Sequence, residues 1–284
     1  MPMLRRRLMR PLVLAAFLSA ASTGSFAFDQ SKYPDWSGWW RVIGGNRWDP
    51  TKPPRHGQNP PLTAEYQTIF EASIAEQDAG GQGNDFRYRC LPAGMPRVMT
   101  AIFPFEFVIL PKLTYIIFES AMPRRIYTDG RDFTHWPKPN SEPAFVGYSI
   151  GRWIDEDGDG RYDVLEVETR HMKGPRAMDQ SGLPLHENNA TIVKERLYRD
   201  KTNIDLFHDE VTTIDDAFTQ PWTVKKSFRR EPEDREWVEN VCEEGNNYVA
   251  IGKEVYYLSG DGNLMPAKKN QAPPDLRYFN QPRK

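Results

Sequence analysis

Apolar and polar residues change pattern along this chain. Residues 63–77 carry Tyr66, Ile69, Phe70 and Ile74 on one face at helical spacing, with Thr63 placed as N-cap and Glu65 in the first turn. The glycine-rich stretch 79–83 ends that run. From Val98 onward the pattern shortens to runs rich in β-branched and aromatic residues, bounded by Pro, Gly, Asn or Asp. Strands are predicted at 105–110, 113–119, 124–128, 145–154, 162–170, 191–199, 206–214 and 222–229. In the 162–170 run, Val164, Glu166 and Glu168 face opposite to Leu165, Val167 and Thr169. A further strand is expected at 249–258, with the turn 259–263 behind it. The reading is all-β with one N-terminal helix. Successive strands with mostly short turns predict an antiparallel meander closed into a barrel, which removes exposed edges. A two-sheet β-sandwich is the alternative. The helix is expected to cover an end or edge of the sheet.

Export changes the picture of the first 27 residues. Arg5, Arg6, Arg7 and Arg10 precede an apolar stretch, and Ser25, Phe26 and Ala27 offer a cleavage site. The apolar stretch is too short for a permanent span. It fits an ordinary secretory signal or a twin-arginine signal. No cysteine lies near the cleavage site, so no lipid membrane anchor is expected. Residues 28–284 then form a single β-rich domain with an extended C-terminal tail, periplasmic or secreted. Aromatic residues make up 12% of the chain, too many for disorder despite 24 prolines. The formal charge of −2 offers no support for nucleic-acid binding, which requires a basic stripe. In an oxidising compartment the two cysteines, Cys90 and Cys242, are expected to be bridged.

The most specific chemistry lies in the turn after residue 154. Asp155, Asp157 and Asp159 alternate, Gly160 follows, and Asp163 and Glu166 complete the ligand spacing of a calcium loop. Strand-like flanks on both sides rule out the helices of an EF-hand. The expected ligands for Ca2+ are the side chains of Asp155, Asp157, Asp159 and Asp163, the carbonyl of Arg161, and Glu166. Six carboxylates crowd residues 155–166 against Arg161 alone, a repulsion that a divalent cation relieves. A solvated Asp/Gly turn uses the same residues.

Five histidines are scattered without zinc spacing. If the strands before His171 and after His186 pair, both rings reach one barrel end, where Glu195 can join them. His171, His186, Glu195 and Arg131 are therefore the candidate acid–base group, set against separate hydrogen-bonded histidines. Arg124, Arg125, Asp129, Arg131 and Asp132 read as a turn laced with ion pairs.

Several segments together resemble a large family of exported bacterial proteins. They are Cys90-Leu91-Pro92-Ala93-Gly94-Met95-Pro96, Arg124-Arg125-Ile126-Tyr127-Thr128-Asp129-Gly130-Arg131, Gly147-Tyr148-Ser149-Ile150-Gly151-Arg152-Trp153, Glu195-Arg196, Pro221-Trp222-Thr223 and Cys242-Glu243-Glu244-Gly245-Asn246. The resemblance implies an exported β protein and supplies no reaction. The chain departs from that family at the acidic turn, where a short Glu-Gly-Asp connection is usual, and again before His186. The acidic turn is itself similar to the calcium loops in β-hairpins of integrin α-subunit propellers. Gly38-Trp39-Trp40 resembles the opening of lipocalin-like (calycin) barrels, in which the indole plugs one end; aromatic core packing explains the same cluster. By fold analogy the expected function is a calcium-stabilised barrel binding a small, partly apolar ligand. A periplasmic hydrolase, lyase or isomerase and a structural protein without a pocket are the other readings. The oligomeric state is not legible in the sequence.

Overall fold

The computed structural model describes residues 28–232, 236–252 and 254–275. The expected signal segment and the last part of the tail lie outside the described residues. Nine strands close into one barrel: β1 (Trp40–Val42), β2 (Phe105–Leu110), β3 (Leu113–Phe118), β4 (Arg124–Tyr127), β5 (Tyr148–Ile154), β6 (Val164–Arg170), β7 (Ile192–Arg199), β8 (Leu206–Ile214) and β9 (Trp222–Arg230). All eight strands expected from Phe105 to Arg230 are present, and the all-β barrel with one helix holds.

Two features of the barrel depart from the meander. The first is β1, too short for a period to show. Trp40–Val42 pairs antiparallel with β9 and touches β2 through Trp40 and Phe105, so it closes the barrel. The second is the β4–β5 pair, which is parallel (Ile126 opposite Ser149, Tyr127 opposite Ile150). A parallel neighbour requires the chain to return to the starting end, and the long loop between Tyr127 and Tyr148 does that.

These registers give the barrel two distinct ends. At one, the β6–β7 and β8–β9 connections meet helix α1 (Ala64–Asp78). The helix is tied there by Thr63 N–H to the Ala217 carbonyl (2.9 Å) and by Glu187 N–H to the Tyr66 hydroxyl (3.3 Å). Thr63 caps it by accepting from Tyr66 N–H. Its buried face is Tyr66, Phe70, Ser73 and Ile74; Ile69, expected inside, is 38% exposed. Ser73 takes the inner place because its hydroxyl bonds the Ser181 carbonyl and the Asn84 N–H.

The acidic turn lies at the opposite end. There the N-terminal segment crosses the barrel, with Tyr162 N–H bound to the Lys32 carbonyl (2.8 Å). Trp36 drops into the interior, its ring 4.9 Å from both Phe107 and Trp153 and 4.8 Å from Phe207. Trp40 is also fully buried and donates to the Trp36 carbonyl (3.0 Å). Gly151 on β5 stands where a side chain has no room: a Cβ there would meet Ile126 at 2.7 Å and Leu165 at 2.9 Å.

Beyond the barrel, residues 249–258 form two strands instead of one. Gly252, at φ +63°, turns the chain, so β10 (Tyr248–Ile251) and β11 (Glu254–Leu258) make a hairpin. After the turn at 259–263, β12 (Leu264–Pro266) completes a separate three-stranded sheet. The Cys90–Cys242 disulfide, Cα atoms 5.5 Å apart, staples the segment leading into this sheet back to residues near the barrel.

Candidate functional site

The barrel interior is filled with side chains, and its middle is ionic. Arg124 on β4 reaches across the lumen to Glu195 on β7, three strands along the barrel, and binds both carboxylate oxygens (2.7 Å to Oε1). Its remaining donors go to Ser149 (3.1 Å) and Thr169 (2.8 Å), which also bond each other. Both members of the pair are closed to solvent. Such a pair tolerates burial because each hydrogen-bonding position is used.

Asp209 on β8 and Lys226 on β9 complete this interior group. Neither oxygen of Asp209 has a hydrogen-bond partner among the described residues. Burial raises the Asp209 carboxyl well above the usual carboxylate range, and the neighbouring Glu195 raises it further, against the pull of Arg124 and Lys226. Burial likewise lowers Lys226, to about 7, opposed by Asp209, Asp179 and Asp49. Its ammonium lies 4.1 Å from the centre of the Trp48 ring and donates to the Trp48 carbonyl. These residues escaped the sequence reading, yet a signal was present. In Phe207-Asp209-Val211 and Val224-Lys226-Phe228 a charge sits on the apolar phase of an alternating strand.

One cleft opens outside the lumen, at the helix-capped end. It holds about 570 Å³ between α1, the segment after it and the β6–β7 loop. Tyr66, Ile69, Phe86 and Tyr88 form an apolar wall, and Arg89, Arg176, His186 and Glu187 line the rest. Arg176 is fixed by bonds to Asn189 (3.1 Å), Thr191 (2.6 Å) and the His186 carbonyl (3.2 Å). Burial lowers its guanidinium, partly offset by Asp215. The His186 ring lies 5.2 Å from the Tyr66 ring. Its Nδ1 accepts from Asn188 N–H (3.1 Å), so the ring proton sits on Nε2.

A second concavity, about 770 Å³, lies against the outer face of β5–β9. Its floor includes Arg152, Glu166, Arg196 and Glu210, a cross-strand row of alternating charge that Lys225 continues in register beyond it. Arg152 pairs with Glu166 (3.0 Å), so this surface satisfies itself.

The four candidate acid–base residues do not form one site. Glu195 is locked to Arg124 inside the barrel. His186 lines the helix-end cleft, whereas His171 is exposed, its ring 6.2 Å from that of Tyr148. Arg131 pairs with Asp129 (2.8 Å to Oδ1) and lies over the Tyr127 and Trp136 rings. Arg131 and Glu195 both border the outer concavity, but the Glu195 side chain is wholly buried. Arg124 leaves the expected ion-paired turn as well, because alternation turns it inward and Arg125 outward.

In the acidic turn, ligand atoms of Asp155, Asp157 and Asp159 lie within 4.8 Å of one another, an arrangement that could hold a metal ion. Asp155 accepts from Gly158 N–H (2.8 Å) and Gly160 N–H (2.9 Å), and Asp159 from Arg161 N–H (2.8 Å). Lys201 lies 3.1 Å from Asp157 and holds its carboxyl below the usual range. Asp163 instead accepts from Glu156 N–H (3.0 Å), and Glu166 is turned to Arg152 on the barrel's outer face.

Among the described residues, no helix is long and apolar enough to cross a membrane. No family model matches this chain, and neither a curated protein nor a solved structure matches it.

Proposed function

We propose that this is an exported, calcium-stabilised β-barrel protein that binds a small, partly apolar ligand in the cleft at the helix-capped end. One observation carries the reading: the cleft joins an aromatic wall to polar groups, while the lumen is packed with side chains. Its volume falls within the range of small-molecule sites. The outer concavity is a weaker candidate, since its charges are already engaged, Arg152 with Glu166 and Arg196 with Glu156. The dispersal of His171, His186, Glu195 and Arg131 favours binding over acid–base catalysis. His186 adds to this, because its Nδ1 lone pair is already used.

Export is supported by the disulfide, which suits an oxidising compartment. Calcium at Asp155, Asp157 and Asp159 would neutralise the turn and hold the β5–β6 hairpin in place of the Lys201 contact. Native mass spectrometry of protein purified from the periplasm tests the ligand reading. A retained small molecule, lost in Ile69→Trp, is expected; retention unchanged by that substitution would place the ligand elsewhere.

A further inference from the structure

We infer that the cleft selects an aromatic carboxylate, a flat ring bearing a planar anion; the inference rests on the cleft being the ligand site. The apolar part of the argument is the wall. Tyr66, Phe86 and Tyr88 offer ring surface, and flat aromatic ligands pack against such faces by offset stacking or edge contacts.

The polar part is a surplus of donors. His186 presents Nε2–H, because Nδ1 is occupied by Asn188 N–H. Tyr66 already accepts from Glu187 N–H, which leaves its own hydroxyl hydrogen to donate. Arg89 uses Nε on the Tyr88 hydroxyl (3.0 Å), and among the described residues neither terminal nitrogen has a hydrogen-bond partner, which leaves both for a ligand. Arg176 spends its donors on the protein and contributes positive charge to the cleft. Against two arginines, Glu187 is the single carboxylate among the residues that line it. A ligand matching this site brings acceptors and negative charge. A carboxylate fits the planar fork of Arg89 in two parallel bonds, which a point anion does not.

Titration calorimetry with naphthoate and its neutral analogue naphthamide tests this on the full mature chain. Naphthoate is expected to bind at least about tenfold tighter, the return from one charge-assisted contact. Arg89→Gln, at an exposed position, gives up the contact with Tyr88 together with the charge and should narrow that gap. Ile69→Trp should abolish binding of both probes by filling the cleft. Equal affinity for the two probes, both still blocked by Ile69→Trp, would overturn the carboxylate and leave the cleft as a ligand site. Binding of neither probe, or binding that survives Ile69→Trp, would overturn the carboxylate site itself.

Discussion

Asp209 and Lys226 stand directly opposite each other on β8 and β9, both closed to solvent, yet the lysine donates to the Trp48 carbonyl instead of the carboxylate. Both groups shift toward their neutral forms. An acid and a base that lose charge together cost less to bury than two separated ions.

This arrangement predicts how stability depends on pH. Lys226 titrates at about 7 in the folded chain and near 10.5 unfolded, so between those values the unfolded chain binds more protons. Stability therefore rises with pH across that window, by at most about 5 kcal/mol for this group alone. Asp209 acts oppositely. Its folded value lies above 3.8, so its contribution is fully present below that pH and is lost as pH rises toward the folded value. Urea unfolding of Lys226→Met at pH 7, 8.5 and 10 should show a flatter rise than the parent. An identical slope would mean the lysine is not buried as described.

The transluminal pair predicts a non-additive pattern. Arg124→Met leaves Glu195 buried without its partner and should cost about 3–5 kcal/mol. Arg124→Met combined with Glu195→Met should regain much of that loss, since both charges are gone. A double-mutant cycle by chemical denaturation reads this directly. Additive losses would show that the two side chains do not act as a pair.

For the acidic turn, millimolar calcium should raise the melting temperature and a chelator should lower it, with affinity near 10⁻⁴–10⁻³ M as in extracellular modules. Asp157→Ala with Asp159→Ala should remove the response. Lys201→Ala should strengthen it, because the ammonium at 3.1 Å occupies the same negative field. Melting that ignores both calcium and chelator would end the claim.

The disulfide closes a loop with a sequence separation of 152. Replacing Cys90 and Cys242 together with serine should cost roughly 2–5 kcal/mol, chiefly through the freer unfolded chain. Calorimetry or denaturant titration of the reduced and oxidised parent provides the same comparison without substitution. No difference would indicate that residues near Cys242 contribute nothing to the cooperative unit.

What the sequence determined by itself was local. Alternation in 164–170 or 222–230 states which side chains share a face, and Thr63 with its following apolar residues states where a helix begins. The crowding of Asp155, Asp157 and Asp159 was legible too, because neighbours in a tight turn are neighbours in space. Tertiary structure decided the rest. It closed the barrel with three residues of β1, sent β4 and β5 parallel, and set Arg124 against Glu195 across the lumen. It also separated His186 from Glu195, which alternation turned inward. The physical reason is that pairing between distant strands depends on register and on how the loops return the chain. Neither leaves a period in the sequence, whereas burial of one face does.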